Sequence, residues 1–306
     1  MNGDKLSRYV QRELKIETRG VRLYFTPGKP IDAVSLFKGR AQQVARCLRA
    51  LLTPGEHIVV FGKRGVGKSS LARVTSQLLL KELRSAYYVH ICDSSDDFNT
   101  IWAPIMGRLG FGGIEVEETT ERVEGGGAQL RIPFAEAGVD TQTRRSVRVV
   151  SGMPTSLRPS TVAEFLEDRD VLVLIDELDR LTSDTDRTKL AETIKQLSDR
   201  GARTKVMLVG IAETAAQLVA AHPSVQRCLR EIELRPMSGD EIREIIVENA
   251  RKCELEFDEE VVEGVVDMAA GYPYFAHLLG LKAAEEAVAG ETDRVDQDIL
   301  LSLIHI

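Results

Sequence analysis

An α/β fold, a parallel sheet flanked by helices with a separate α-helical unit after it, is predicted by three features of the sequence. Gly62-Lys63-Arg64-Gly65-Val66-Gly67-Lys68-Ser69 fits G-x-x-x-x-G-K-[ST] and stands between an apolar run and a helical stretch. Between positions 57 and 234, strand-length apolar runs alternate with helix-periodic segments, the pattern of a parallel sheet covered on both faces. After Pro236 the alternation stops and helical periodicity alone continues.

The elements follow in order. Residues 1–35 are polar, carry the breakers Pro27-Gly28 and Pro30, and read as a lead-in arm. Phe37-Lys38-Gly39-Arg40 opens a helix that runs through Leu52 and is closed by Thr53-Pro54-Gly55. His57–Phe61 is a buried strand, and Ser70–Leu80 is the helix that follows its glycine-rich loop. Tyr87–Ile91 is the next strand and Asp97–Leu109 the next helix. The region 110–155 breaks the rhythm with Gly110, Gly112, Gly113 and Gly125-Gly126-Gly127, and reads as an insertion. The alternation in Arg145–Val150 suggests a β-hairpin or a mobile loop within it, a solvated insertion being the favoured reading. A helix over Thr161–Glu167 leads to Val171–Ile175, an unbroken apolar run suited to a strand buried on both faces. Lys189–Ser198 is helical, Lys205–Gly210 a strand, Thr214–Ala221 a helix and Glu231–Leu234 the last strand. Asp240–Lys252, Glu259–Ala269 and Tyr274–Ala289 are helices with no strand expected between them. The expected division is an arm over 1–35, a core over 36–236 with the insertion at about 110–155, and a helical lid over 237–300. The last six residues, 301–306, match one translated frame of a transposon adapter used in sequencing libraries and are expected to be foreign to the fold.

The chemistry is concentrated at two places. In the loop Gly62 to Ser70, glycines let the backbone wrap a phosphate without Cβ clashes. Its N–H groups and the helix N-terminus then face the anion. Lys68 is placed to reach the β- and γ-phosphates, and the Ser69 hydroxyl to ligate Mg2+. The second place is Asp176-Glu177, at the end of a strand where parallel sheets bind ligands. Asp176 is the second expected Mg2+ ligand, and Glu177 is placed to orient or deprotonate an attacking water.

Composition sets the limits. The 306 residues accommodate one α/β core plus a smaller unit, and 43% hydrophobic with 28% charged residues is ordinary for a globular chain. A net charge of −7 argues against a dominant nucleic-acid-binding surface. There is no run of membrane-spanning length and no apolar leader at the N-terminus, so a cytoplasmic location and no membrane partner are expected. Cys47, Cys92, Cys228 and Cys253 lack C-x-x-C spacing and read as reduced thiols. His57, His90, His222 and His277 read as isolated, so no metal site is expected from them.

With both motifs and the lid in place, residues 36–300 resemble the AAA+ and STAND branches of the P-loop ATPases, and within them the ATPases related to origin-recognition proteins. The resemblance implies a P-loop NTPase sheet, with Asp176 in the Walker B position. It also implies that Phe37-Lys38-Gly39-Arg40 is an F-x-G-R box whose Phe37 and Arg40 flank the adenine. Ala212 stands where many relatives carry a polar sensor 1 residue. Ser224–Arg230 occupies the arginine-finger region, with Arg227 and Arg230 both candidates, alongside a plain solvated basic helix end. Gly271-Tyr272-Pro273 is similar to the G-x-P motif of STAND ATPases, whose proline packs near the base. No sensor 2 arginine follows in Tyr274–Leu279, which favours a slow switch over a motor.

The function expected is Mg2+-dependent ATP binding with slow hydrolysis to ADP, in a switch that forms homo-oligomers when loaded with ATP. The alternatives are an origin-type ATPase that binds or loads DNA through a region beyond this chain, and a nucleotide-binding scaffold that does not hydrolyse.

Overall fold

The structure, a computed structural model, describes residues 3–83, 85–111, 118–120, 145–147, 156–221 and 223–304. The chain opens with α1 (Gly3–Thr18) and the single turn α2 (Val21–Tyr24), then passes to α3 (Ala41–Leu52). β1 (His57–Gly62) and α4 (Lys68–Leu83) bracket the glycine-rich loop, and β2 (Ala86–Ile91) and α5 (Phe98–Arg108) follow. Asp97 fixes the start of α5 by a reciprocal cap with Thr100. β3 (Glu118–Thr120) pairs antiparallel with β4 (Arg145–Val147), which matches the hairpin alternative for this part of the insertion. The rest of the 112–155 stretch lies outside the described residues. Then come α6 (Pro159–Leu166), β5 (Val171–Asp176), α7 (Asp184–Asp199), β6 (Lys205–Gly210), α8 (Ala212–Ala221) and β7 (Leu229–Leu234).

The five long strands form one parallel sheet in the order β2-β5-β6-β1-β7. β5 is buried along its whole length, as its unbroken apolar run requires of a central strand. One face packs on α5, α6 and α7 through Phe98, Trp102, Leu166 and Ile194, and the other on α3 and α4 through Leu51, Leu71 and Leu79. Because β6 lies between β1 and β5, the loop after β1 and the carboxylates after β5 open on the same crevice at the strands' C-terminal ends.

The lid comprises α9 (Gly239–Lys252), β8 (Glu256–Phe257), α10 (Glu259–Ala269), α11 (Pro273–Ala289), β9 (Arg294–Val295) and α12 (Gln297–Ile304). α9 begins in a capping box between Ser238 and Glu241, and α11 begins with Pro273 at its first position, where a missing N–H costs nothing. Between α9 and α10, where no strand was expected, β8 pairs in parallel with β9. Two residues are too few to show a period, so such a strand is invisible in the sequence. α12 runs across position 300, burying Leu300 and leaving Leu301 exposed.

Residues 1–35 do more than lead in. Ile16, Val21 and Phe25 are buried in the same apolar cluster as Ile242, Ile246, Val262 and Ala283 of the lid. Gly280 makes room for this: a Cβ there would lie 2.4 Å from the Phe25 ring. No helix among the described residues is long and apolar enough to cross a membrane.

Candidate functional site

The crevice at the C-terminal ends of the strands is a cleft of about 420 Å3 between sheet, lid and the segment that follows α2. Its floor is the loop after β1. Gly67, at φ 93°, turns the chain into α4, and Val66 is fully buried and pins the loop to the core. Lys68 donates from Nζ to the carbonyls of Gly62 and Lys63, both at 3.0 Å, so its ammonium crosses the mouth of the loop. Burial pushes Lys68 below its ordinary lysine value, with Asp179 and Asp176 opposing the shift. The Ser69 hydroxyl donates to Asp176 Oδ1 at 3.1 Å, so the two oxygen donors expected to share a cation are in contact. Asp176 is only 5% exposed.

Glu177 lies beside Asp176, and its N–H donates to Asp176 Oδ1 at 2.9 Å. Its backbone is left-handed, at φ 53°, a conformation that side chains other than glycine adopt at a cost. Its carboxylate is 53% exposed and lies 3.6 Å from Arg180 Nε. Arg64, in the loop, lies 3.9 Å from Asp179 and is mostly exposed.

Arg40 is buried and binds backbone. Its Nη2 donates to the Val66 carbonyl at 3.2 Å and to the Arg235 carbonyl at 2.7 Å. Its own N–H donates to Glu241 at 2.9 Å. Arg40 therefore links the loop, the end of the sheet and the first lid helix, as well as lining the cleft. Phe37 also lines the cleft, with Met237 and Ile245 from the lid side. Pro273 faces the loop directly: a Cβ on Gly67 would meet its Cγ at 3.5 Å, and one on Gly65 would meet Tyr274 at 3.5 Å. Val209, Gly210 and Ile211 line the wall where a sensor 1 side chain was sought.

Ser70 is held by the arm, accepting a hydrogen bond from the Ile31 N–H at 3.0 Å. Thr26 to Ile31 thus form a wall of the cleft, which the sequence reading did not anticipate. Two adjacent breakers and a polar composition look the same whether a segment is solvated or laid against a site.

Arg227 and Arg230 lie elsewhere. β7 starts two residues earlier than expected, so Arg230 is within the strand, where it pairs in register with Ile58 and makes an ion pair with Glu56. Arg230, charged and exposed on this edge strand, interrupts the apolar count and cuts Leu229 off from the rest of the strand. Arg227 ends a 3-10 turn over Pro223–Arg227 and is exposed, so the basic helix end considered for this segment is a tight turn. Gly62, which leads into the loop, is four residues further along β1 than Ile58, roughly 13 Å at strand spacing. Both arginines are therefore at the opposite end of the sheet from the cleft.

All four cysteines are buried free thiols. His90, read as isolated, and Cys92, read as a reduced thiol, lie together with Asp96, each bringing one ligating atom within 4.8 Å of the others. His90 is hydrogen-bonded to Asp96 at 3.0 Å, and burial pushes the Cys92 thiol up to about 12.

Comparison with known proteins agrees with this geometry. The family profile of novel STAND NTPase 1 matches residues 30–280. No curated protein matches the chain in sequence. Among solved structures, Aeropyrum pernix ORC2, solved as ADPNP–ADP complexes, is 17% identical with a TM-score of 0.58, covering 93% of this chain and 71% of that one. Aeropyrum pernix ORC1 in complex with DNA is 16% identical with a TM-score of 0.58, covering 94% and 68%. The Thermotoga maritima RuvB Holliday junction branch migration motor is 17% identical with a TM-score of 0.52, covering 90% and 71%. These likenesses show the fold, a P-loop parallel sheet with a helical lid.

Proposed function

Because this chain belongs to the novel STAND NTPase 1 family, we propose that it binds ATP with Mg2+ in the cleft between sheet and lid, hydrolyses it slowly, and works as a switch that assembles when loaded. The observation that carries this reading is the contact of Ser69 Oγ with Asp176 Oδ1 at 3.1 Å, beside Lys68 at the mouth of the loop. A hydroxyl and a carboxylate side by side form the hard oxygen set that suits Mg2+. When bound, Mg2+ would neutralise charge on the phosphate oxygens.

The remaining roles fall to the chain. Loop N–H groups and the Lys68 ammonium hold the phosphates, the latter exchanging its two carbonyl acceptors for phosphate oxygens. Glu177 takes the proton of the attacking water, which requires its carboxylate to leave Arg180. Arg40 carries the state of the loop to the lid through Val66, Arg235 and Glu241. Pro273 and Phe37 bound the nucleotide's side of the cleft.

The test is Lys68→Ala. It removes a charge-assisted phosphate contact, and ATP binding in calorimetry is expected to fall below detection while the thermal transition of the apo protein stays in place. ATP bound as tightly by the variant as by the parent would mean that the nucleotide sits elsewhere.

A further inference from the structure

Resting on the nucleotide reading of the cleft, we propose that His277 reads the base, its Nε2–H donating a hydrogen bond to a ring nitrogen of adenine. His277 lies on α11 one turn beyond Pro273 and lines the cleft, yet is only 4% exposed. Its Nδ1 is 3.1 Å from the backbone N of Thr26. A backbone N–H can only donate, so Nδ1 is the acceptor, and this assigns the proton of the neutral ring to Nε2. Burial pushes the ring's pKa down to about 4, which keeps it neutral at physiological pH.

Nε2 is closed off from solvent and has no hydrogen-bond partner among the described residues, so a base reaches it only by displacing the side chains that cover it. A buried N–H without an acceptor is costly, so an orphan donor held in one orientation at a ligand cleft points to an acceptor on the ligand. The fixed tautomer makes this group selective: it can donate and cannot accept.

The surroundings say which part of the ligand that is. α11 touches the phosphate loop at Pro273, and a helical turn carries His277 about 5 Å further along the axis, toward the arm. The cleft as a whole is also lined by Pro27, Pro30, Ile31, Phe37 and Ile245, flat or branched apolar groups suited to the faces of a base. Arg40, a buried cation lining the same cleft, donates from Nη2 to two carbonyls, while its buried Nε has no partner among the described residues. Adenine presents N1, N3 and N7 as acceptors, and one of them meets Nε2–H. The same bond explains why the arm is tied to the lid at Thr26: that contact sets the tautomer which makes His277 a donor.

The experiment is calorimetry of the parent, His277→Phe and His277→Gln with ATP, with 1-deaza-, 3-deaza- and 7-deaza-ATP, and with tripolyphosphate. In the parent, one deaza analogue is expected to bind about tenfold more weakly than ATP, the worth of one hydrogen bond. In His277→Phe, ATP should weaken by about the same factor and that analogue should no longer differ from it. His277→Gln, which can accept from Thr26 and donate from its amide, should recover part of the loss. Tripolyphosphate should bind all three proteins alike. If all three deaza analogues match ATP on the parent, the inference fails without recourse to any variant. Unchanged ATP affinity in His277→Phe also overturns it. Failure of the parent to bind ATP at all would instead remove the nucleotide reading on which it rests.

Discussion

Glu177 combines two features at one position: a left-handed backbone and a carboxylate drawn toward Arg180. Strain of this kind persists only where the surroundings enforce it, here through the Glu177 N–H bound to Asp176. Glu177→Gln preserves that backbone bond and removes the base. ATP affinity should hold while phosphate release falls about a hundredfold or more. Turnover at the parental rate would show that another group activates the water. His277 supplies a second residue-level expectation. Its pKa is near 6.5 in an unfolded chain and about 4 when folded. The unfolded state therefore binds more protons within that window. The contribution to stability is complete above pH 6.5 and drains away as pH falls through about 4. Between pH 7 and pH 4.5 the parent should lose roughly 2 to 3 kcal/mol more than His277→Gln, measured by denaturant unfolding at each pH. Lys68, Ser69, Asp176 and Glu177 were legible in the sequence because phosphate chemistry fixes residue types at short spacings. His277 was not. Its tautomer depends on Thr26, 251 positions away, and no local pattern encodes that pairing.

At the scale of elements, the joint between sheet and lid has two distinct parts. Gly271, at φ 78°, brings its carbonyl to 2.7 Å from the Met237 N–H, and a Cβ there would lie 2.5 Å from the Met237 carbonyl oxygen. Pro273, two residues on, faces the phosphate loop instead. Gly271→Ala should therefore destabilise the apo protein by about 1–3 kcal/mol with or without nucleotide. Pro273→Ala should leave the apo melting temperature in place and weaken ADP binding. Equal losses of apo and ADP-bound melting temperature in Pro273→Ala would make the proline a structural residue only. The elements readable in advance were those with a strong local signature: the apolar run of β5, the Asp97 cap of α5 and the proline start of α11. α7 begins at Asp184 under a Ser183 cap, five residues before its expected start, because its first turn is polar and shows no apolar stripe. α1 was missed for a related reason. Its Tyr9, Val10 and Leu14 are exposed, and the burial of Ile16 depends on a lid distant in sequence.

For the molecule as a whole, the separation of Arg227 and Arg230 from the cleft bears directly on assembly. Both are at the far end of the sheet, so neither can reach a phosphate bound by its own chain. An arginine finger drawn from them must act on a neighbour. Of the two, Arg230 is engaged by Glu56 while Arg227 is exposed at the end of a turn. ATP should drive self-association seen by light scattering, and Arg227→Ala should lower turnover more than Arg230→Ala. Mixing Lys68→Ala with Arg227→Ala subunits should restore part of the activity. No recovery, together with a monomer at saturating ATP, would remove the in-trans mechanism. Another consequence of the molecule's layout comes from the burial of Ile16 and Phe25 among lid residues that run from Ile242 to Val288. At about 5–20 residues per second of synthesis, those side chains leave the ribosome on the order of 10–50 s before the helices that cover them. During that interval the sheet can form around the glycine-rich loop while α1 has no partner. The cleft is then completed by the chain doubling back on its own beginning, so the wall from Thr26 to Ile31 is laid down first and put to use last.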